Sequence, residues 1–383
     1  MNGYGGEFMS NIKPFIKWAG GKEKELPIIL KSLPSGFDRY IEPFVGGGAV
    51  YLNINCKNSV INDKSDELML LYKMIKKGDK DFIKSLNDIN KNWIALENIV
   101  INSSKELLNL YNSYKKDITK LETLVDDYIS NHNKELNALL REDVDINLYN
   151  LMSEIKKNMI SKISRMYKLE QKSGKLSKED TIDNLECSFK SAYYMYFRYL
   201  YNNKNKLKLS NSFYCAVFYF VRDYCYASMF RYNANGEFNV PYGGISYNRK
   251  DFSKKIEYVT SDELKNYLSN TELYNLDFED FCNKIELNEN DFMFLDPPYD
   301  TEFSTYAKND FNKSDQVRLA NYLKKTKAKF MLIIKNTDFI YNLYNVKDLY
   351  IKTFDKKYLV SFMNRNDKDV EHLLITNYKL EDD

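Results

Sequence analysis

The sequence contains few of the residues that build metal sites and disulfides. It has five cysteines in 383 residues, and none of them forms a C-x-x-C pair. Its only two histidines are His132 and His372. Zinc coordination therefore has little support, and we expect reduced thiols in a cytosolic compartment. Catalysis by histidine also has little basis, and we predict that both histidines are structural or exposed.

The sequence also lacks a strong net charge and a long apolar run. The net charge is +2 with 29% charged residues, so any site for nucleic acid must come from local clustering of Lys and Arg. Without a signal peptide or a long apolar segment, we expect a cytoplasmic protein with no membrane partner. The length suits two domains, or one domain with a large insertion.

Glycine is scarce in the middle of the chain. Gly174 is the only glycine between residues 79 and 236. From residue 76 to 211, Leu, Ile and Tyr recur at helical spacing among Lys, Glu and Asn, which predicts mostly helix. The aromatic stretch 213–230 predicts a buried helix.

One segment near the end of the chain carries the clearest chemistry. The apolar run Phe292–Leu295 predicts a buried strand that ends at Asp296. Pro297 and Pro298 have no backbone N–H, so they cannot continue a sheet ladder. The chain must leave the sheet as a stiff loop, with a carboxylate, a free carbonyl and the Tyr299 ring close together. In an open α/β sheet, the carboxyl ends of the strands form the ligand crevice.

This group of atoms suits methyl transfer to a poorly nucleophilic amino group. The lone pair of an exocyclic amine on a heterocyclic base is delocalised into the ring. The Asp296 carboxylate and the Pro297 carbonyl can accept hydrogen bonds from the N–H groups of this amine and offset the positive charge of the transition state. Tyr299 offers a flat face on which a base can stack. Taken alone, the segment also fits a proline-stiffened strand exit capped by an Asp.

Two glycine-containing segments lie near the start of the chain. In Lys17–Lys22, adjacent glycines precede a predicted helix over residues 23–33. They let a ligand approach the backbone closely at the start of that helix, where negative charge is favoured. In Tyr40–Leu52, we predict a strand, a glycine turn and the start of a helix. The next predicted strand, residues 59–62, ends at Asp63, about 20 residues past the turn, where a Rossmann-type fold places an acid for ribose.

Residues 230–244 predict a β-hairpin. An Asn-Gly turn signal at residue 235 lies between strand-like residues and is followed by Pro-x-Gly-Gly. A hairpin with an Arg can enter the DNA major groove, where Arg reads guanine bidentately. We interpret the charge runs of the helical region as solvated faces, with Lys204, Lys206 and Lys208 as a weaker candidate for phosphate contact. After the hairpin, the candidate backbone contacts are Arg249, Lys250, Lys254 and Lys255. Further strands at 329–334 and 371–378, with a helix at 314–325, indicate an α/β fold.

Four motifs occur in one order along the chain: Lys17–Lys22, Pro43–Gly48, Gly236–Gly243 and Asp296–Tyr299. In this order they resemble the Dam family of DNA adenine-N6 methyltransferases (D12 class, α group), over residues 12–75 and 213–378. The resemblance implies an α/β fold, with a Rossmann-like S-adenosylmethionine-dependent methyltransferase sheet and an inserted, mainly helical target-recognition domain that carries the hairpin. It predicts a flexible tail (1–10), a catalytic domain (11–80 and 275–383) and an insertion (81–274).

The resemblance also implies roles for single residues. S-adenosylmethionine is the expected cofactor, with no metal, and double-stranded DNA is the expected partner. A cognate restriction endonuclease is a candidate partner for such a prokaryotic or phage-encoded enzyme. The expected catalytic residues are Asp296, Pro297 and Tyr299. The expected cofactor contacts are Trp18, Lys22, Glu42, Phe44, Gly46, Gly48, Asp63 and Asp296. The expected DNA contacts are Tyr226, which stacks into the duplex as the adenine leaves, Arg231, which reads guanine, Asn239 and Pro241. Base flipping follows because a duplex shields the target atom.

Other functions stay open from the sequence. A catalytically silent DNA-binding subunit would leave the Asp-Pro-Pro-Tyr segment unexplained. RNA adenine or a protein amide could replace DNA as the acceptor. A nicotinamide-dependent enzyme is disfavoured because the glycine pattern lacks its third member. Ala227, Met229 and Ile245 differ from the residues of GATC-reading members, so the target sequence is not predicted, and the long helical insertion has no assigned role.

Overall fold

The computed structural model describes residues 12–139, 148–229, 231–299, 311–357 and 369–380. The predicted tail at residues 1–10 lies outside these ranges. No helix in the described ranges is long and apolar enough to cross a membrane.

Seven strands form one sheet in the order β3-β2-β1-β4-β5-β7-β6. Neighbouring strands are parallel except that β7 runs antiparallel to β5 and β6. This is the expected Rossmann-like α/β arrangement. The strands are β1 (Arg39–Glu42), β2 (Ser59–Asn62), β3 (Thr271–Tyr274), β4 (Asp291–Leu295), β5 (Lys329–Lys335), β6 (Tyr350–Lys357) and β7 (Asp369–Thr376).

The apolar runs predicted the central strands correctly. The strands expected at 292–295, 59–62 and 329–334 are confirmed as β4, β2 and β5, and every residue of β4 and β2 is buried. The sequence did not predict β3 and β6. β3 and β6 are the two edge strands of the sheet, and edge strands tolerate the polar and charged residues that interrupt their apolar patterns.

Helices cover most of the remaining described chain, and the expected helical region 76–211 is confirmed there. The α-helices are α1 (Leu26–Lys31), α2 (Asp66–Lys77), α3 (Lys80–Asn102), α4 (Ser104–Lys116), α5 (Leu121–Asn131), α6 (Asn133–Asn137), α7 (Leu148–Ser173), α8 (Lys178–Asn202), α9 (Asn211–Tyr224), α10 (Ser253–Val259), α11 (Asp262–Ser269), α12 (Phe278–Lys284), α13 (Lys313–Leu323) and α14 (Asp338–Tyr344).

Three helix predictions were too long. The helix predicted over 213–230 ends at Tyr224, because Cys225 has an extended backbone. The helix predicted over 23–33 covers only α1. The helix expected after the glycine turn is a single 3-10 turn, Tyr51–Asn53.

The described chain divides into two units. Unit 1 comprises the chain up to Lys77 and from Ser261 onward, and unit 2 comprises Gly78–Thr260. The second boundary lies before β3, which pairs with β2 of unit 1, whereas the sequence placed that boundary at residue 275. In unit 1, β4 and β5 pack against α12, α13 and α14 around Met293, Leu295 and Phe330.

In unit 2, aromatic rings form much of the core. Trp93 of α3 contacts Phe220 and Tyr224 of α9 at centroid distances of 5.4 and 4.5 Å. Rings of this size bury a large apolar area, and edge-to-face pairs add to that stabilisation. Each unit therefore has a hydrophobic core of its own.

Candidate active site

Three carboxylates lie at the carboxyl ends of neighbouring strands of the sheet. Glu42 ends β1, Asp63 follows β2 and Asp296 follows β4, and these three strands are adjacent and parallel. The strand order reverses between β1 and β4, and ligands of open α/β sheets bind at such a switch point, beyond the carboxyl ends of the strands. The topology thus brings together residues far apart in the sequence.

Asp296 forms an ion pair with Lys22. Both side chains are largely buried, with exposed fractions of 3% for Lys22 and 17% for Asp296. Lys22 Nζ also donates to the Gly20 carbonyl at 2.9 Å and lies 5.4 Å from the centroid of the Tyr299 ring. The carboxylate therefore has a fixed position beside the ring, with its charge balanced by a lysine.

The loop after β4 is bonded to the core of unit 1. The Pro298 carbonyl accepts a hydrogen bond of 3.1 Å from Gln316 Nε2, and Gln316 is fully buried in α13. The Tyr299 ring packs edge-on against the buried His372 ring of β7, with centroids 5.5 Å apart. Sequence reasoning missed Gln316, since a single polar residue in an amphipathic helix gives no signal.

The glycine turn after β1 needs glycine for two separate reasons. Gly46 and Gly48 have φ angles of +50° and +76°, which residues other than glycine rarely adopt. A Cβ at residue 46 would lie 2.9 Å from Cδ1 of Trp18, and a Cβ at residue 48 would lie 2.5 Å from the hydroxyl oxygen of Tyr72. The Trp18 ring thus lies directly against the backbone of the turn.

Asp63 is bonded to the same turn. Its carboxylate accepts hydrogen bonds from the backbone N–H groups of Gly46 at 3.0 Å and Ser65 at 2.9 Å. Burial raises the pKa of Asp63 to about 6, although both hydrogen bonds act in the opposite direction. A ligand that donates further hydrogen bonds to this carboxylate would favour its ionised form.

Glu42 is the most deeply buried of the three acids. Burial raises the pKa of Glu42 well above its ordinary value; the hydrogen bond from the Tyr40 hydroxyl at 2.6 Å lowers it, and the charges of Asp296 and Asp63 raise it further. Phe44, two residues later, packs its ring against Phe278. The expected catalytic and cofactor residues thus lie together at these strand ends in unit 1.

The four expected DNA contacts lie together in unit 2. The chain reverses at Asn235 and Gly236, with antiparallel bridges between Tyr232 and Phe238 and between Cys225 and Tyr242. Arg231 Nε donates to Asn239 Oδ1 at 3.0 Å, and Tyr226 N donates to the Pro241 carbonyl at 2.9 Å. The predicted hairpin is confirmed as a chain reversal, but the described residues of its arms form isolated bridges and no continuous ladder. Phe230 lies outside the described residues.

Tyr226 begins a strained turn. Its side chain is 45% exposed, and the next two residues, Ala227 and Ser228, both have φ of +52°. The buried Arg222 donates to the carbonyls of Ser228 at 3.1 Å and Met229 at 2.7 Å. Strain of this kind persists only where the surroundings stabilise it. Sequence reasoning missed Arg222, although a lone Arg in the aromatic stretch 213–230 was a usable signal.

Four of the basic residues expected to contact phosphate pair with carboxylates of unit 2. Among them, Lys254 lies 4.0 Å from Asp251 and Lys255 lies 3.9 Å from Asp223. Arg249 donates to Glu186 and to Asp183, and Lys250 lies 2.7 Å from Asp223. The fully buried Lys190 pairs with Glu186 at 2.6 Å. These ion pairs join the segment after the hairpin to α8 and α9, so the charges of Arg249 and Lys250 are already balanced within the protein.

The chain resembles known proteins over most of its length. The sequence model of the D12 class N6 adenine-specific DNA methyltransferases matches residues 18–96 and 129–359. Type II methyltransferase M.CviBI of Paramecium bursaria Chlorella virus NC1A is 27% identical over 378 residues, which cover 96% of this chain and 100% of that protein. Type II methyltransferase M.MjaIII of Methanocaldococcus jannaschii is 29% identical, with 96% and 99% covered. The DNA adenine methylase of Haemophilus influenzae is 22% identical, with 87% and 83% covered.

Proposed function

Because the chain belongs to the D12 class N6 adenine-specific DNA methyltransferases, we propose that it transfers a methyl group from S-adenosylmethionine to the N6 amino group of an adenine flipped out of duplex DNA. The observation that carries this proposal is the group formed by Asp296, Tyr299 and Lys22 at the end of β4. It places a hydrogen-bond acceptor of fixed position beside an aromatic ring, at the switch point of the sheet.

The residues around the glycine turn fit the cofactor. When bound, S-adenosylmethionine supplies an electrophilic methyl group on a sulfonium. The Asp63 carboxylate accepts hydrogen bonds from the ribose hydroxyls, which compensates the cost of ionising a buried acid. The Trp18 ring packs on a flat face of the cofactor, and the glycines allow close approach of the backbone. Lys22, Glu42, Phe44 and Asp296 complete the proposed contacts.

The loop after β4 activates the amine. The Asp296 carboxylate and the Pro297 carbonyl accept hydrogen bonds from the two N–H groups of the adenine amino group. These hydrogen bonds localise the lone pair on nitrogen. Tyr299 stacks on the base. Because Lys22 and Gln316 fix the loop beforehand, the acceptors need little reorganisation when positive charge develops. No strong general base is required, because the nitrogen becomes acidic once it is methylated.

Recognition is assigned to unit 2. Arg231, oriented by Asn239, reads a guanine in the major groove. Tyr226 stacks in the duplex in place of the adenine, whose extrusion costs a few kcal/mol. Its exposure and the strained turn that follows it support this role.

The test is the transfer of tritiated methyl groups from S-adenosylmethionine to unmethylated genomic DNA. Wild type is compared with Asp296→Ala and with Asp38→Asn, which alters an exposed carboxylate just before β1. We expect transfer by wild type and Asp38→Asn and none by Asp296→Ala. Equal counts for wild type and Asp296→Ala would refute the proposal, and duplex binding without transfer would indicate a silent DNA-binding subunit. Preferred transfer to RNA or to a peptide would show that the acceptor is not DNA.

A further inference from the structure

Helix α7 carries a row of basic residues along its outer face. Lys157, Arg165, Lys168 and Lys172 are exposed and recur at intervals of eight, three and four residues. At 3.6 residues per turn, these positions fall within about 80° of one another, and the row is about 22 Å long. We call these four residues the basic stripe.

The other faces of α7 have partners within unit 2. Ile155, Met159 and Ile163 are fully buried. On the flanks, Lys156 donates to Asp126 of α5 at 2.8 Å, and Glu170 accepts from Lys115 of α4 at 3.2 Å. The basic stripe is therefore the face of α7 that the protein leaves to the solvent.

Only one residue of the stripe has an acidic partner in the part of unit 2 that the structure describes. Lys157 lies 3.6 Å from Glu154, at the N-terminal end of the stripe. Within the described ranges, Arg165, Lys168 and Lys172 form no ion pair. Like charges one turn apart destabilise a helix, and the net charge of the whole chain is only +2. This local excess of positive charge favours a polyanionic partner.

The recognition hairpin is bonded to α8, and α7 packs against α8 within unit 2. Arg198 of α8 donates to the Val240 carbonyl of the hairpin at 3.1 Å. Burial lowers the pKa of Arg198. The charge of Glu154 on α7 raises this pKa, and the charge of Arg231 on the hairpin lowers it. The stripe starts one turn after Glu154, the α7 residue whose charge acts on Arg198.

We propose that the basic stripe binds the phosphate backbone of duplex DNA beside the target site. This inference rests on the proposed function, which assigns the hairpin to the duplex. A row of about 22 Å matches roughly six base pairs at 3.4 Å per step. Contacts of this kind position the duplex and carry no sequence information. The stripe thus gives part of the long helical insertion a role in affinity, while sequence recognition is left to the hairpin.

The experiment compares two charge variants of the full chain. One is Arg165→Gln/Lys168→Gln/Lys172→Gln; the matched control, Lys84→Gln/Lys105→Gln/Lys116→Gln, removes three exposed lysines of α3 and α4. Binding of each to a labelled duplex of arbitrary sequence is measured by fluorescence anisotropy between about 50 and about 200 mM salt. Circular dichroism checks that each variant keeps the helix content of wild type.

Each lost phosphate contact removes about 0.9 from the slope of log affinity against log salt. We expect the stripe variant to lose about 2 to 3 from that slope and on the order of tenfold or more in affinity at 0.1 M salt. The control should match wild type. Equal losses in both variants, or an unchanged slope in the stripe variant, would overturn the inference. Tighter binding of duplex RNA than of duplex DNA by wild type would show that the proposed occupant is wrong.

The two proposals can fail separately. Methyl transfer by wild type together with an unchanged salt slope of the stripe variant would refute only the stripe. The absence of methyl transfer to any DNA would refute the proposed function, whatever the slopes.

Discussion

At the residue scale, Lys22 and Asp296 form an ion pair in which both side chains are largely buried. In Lys22→Met, the Asp296 carboxylate loses its cation, and an uncompensated charge of this kind destabilises a protein by about 3–5 kcal/mol when fully buried. Because Asp296 keeps 17% of its side chain exposed, we expect a loss of about 2–3 kcal/mol in the free energy of unfolding. Urea unfolding followed by circular dichroism measures it.

The double variant Lys22→Met/Asp296→Asn is the control for this prediction. Removing both charges leaves neither one buried alone, so the double variant should lose less stability than the sum of the single variants, by about 1–3 kcal/mol. Additive losses would mean that the two groups do not interact.

Asp63 should make cofactor binding depend on pH. Its folded-state pKa of about 6 lies above the ordinary value, so its contribution to stability is fully present below about pH 4 and is lost as the pH rises through 6. In the proposed function the ribose hydroxyls bind the ionised form better, so the affinity for S-adenosylmethionine should fall as the pH drops from 7 to 5. The expected loss is up to about tenfold per pH unit below 6.

Isothermal titration calorimetry at several pH values measures this dependence. Asp63→Asn keeps the shape of the side chain but cannot titrate, so the part of the pH dependence that comes from residue 63 should disappear. If Asp63→Asn and wild type showed the same pH profile, the assignment of Asp63 to the cofactor would be wrong.

At the element scale, the turn after β1 tolerates no side chain at residue 48. Gly48→Ala would place a Cβ at a φ of +76° and 2.5 Å from the Tyr72 hydroxyl oxygen. We expect a loss of about 1–3 kcal/mol in stability and weaker cofactor binding, because the turn must shift. Thermal unfolding and cofactor titration measure both effects.

Gly36→Ala is the matched control for Gly48→Ala. Nothing lies within 4 Å of a Cβ at residue 36. Its stability should remain within about 0.5 kcal/mol of wild type, as is usual for surface substitutions. Equal losses of stability in Gly48→Ala and Gly36→Ala would show that the turn does not require glycine at residue 48.

The elements differ in how far their sequences predict them. The buried strands β2, β4 and β5 have uninterrupted apolar runs, and the order of the motifs indicated which strand ends meet. The strained turn at Ala227 and Ser228 was not predicted. Arg222 stabilises it through hydrogen bonds to backbone carbonyls, so the lone arginine in the aromatic stretch gave a signal but did not indicate its partners. Likewise, the bond from Gln316 to the Pro298 carbonyl depends on tertiary packing between α13 and the loop. Local patterns predict elements and strand-end acids; they do not predict bonds from distant side chains to the backbone.

At the scale of the whole molecule, the two units with separate cores should unfold in two steps. Cofactor contacts are proposed only in unit 1, so S-adenosylmethionine at about 100 times its dissociation constant should stabilise that unit alone, by about 2.7 kcal/mol. For a unit of this size, the corresponding transition should rise by roughly 5–10 °C, and the other should not move. Differential scanning calorimetry with and without cofactor measures this. One transition with equal calorimetric and van't Hoff enthalpies would contradict it.

The chain leaves unit 1 at the end of α2 and returns at the start of α11, and these two helices pack against each other. A segment that departs from and re-enters a scaffold at neighbouring points can be exchanged as a cassette without re-threading the sheet. Genetic recombination at codons 77 and 261 would therefore replace unit 2 without changing the strands of unit 1, and chimeras with related enzymes can be joined at the same two positions.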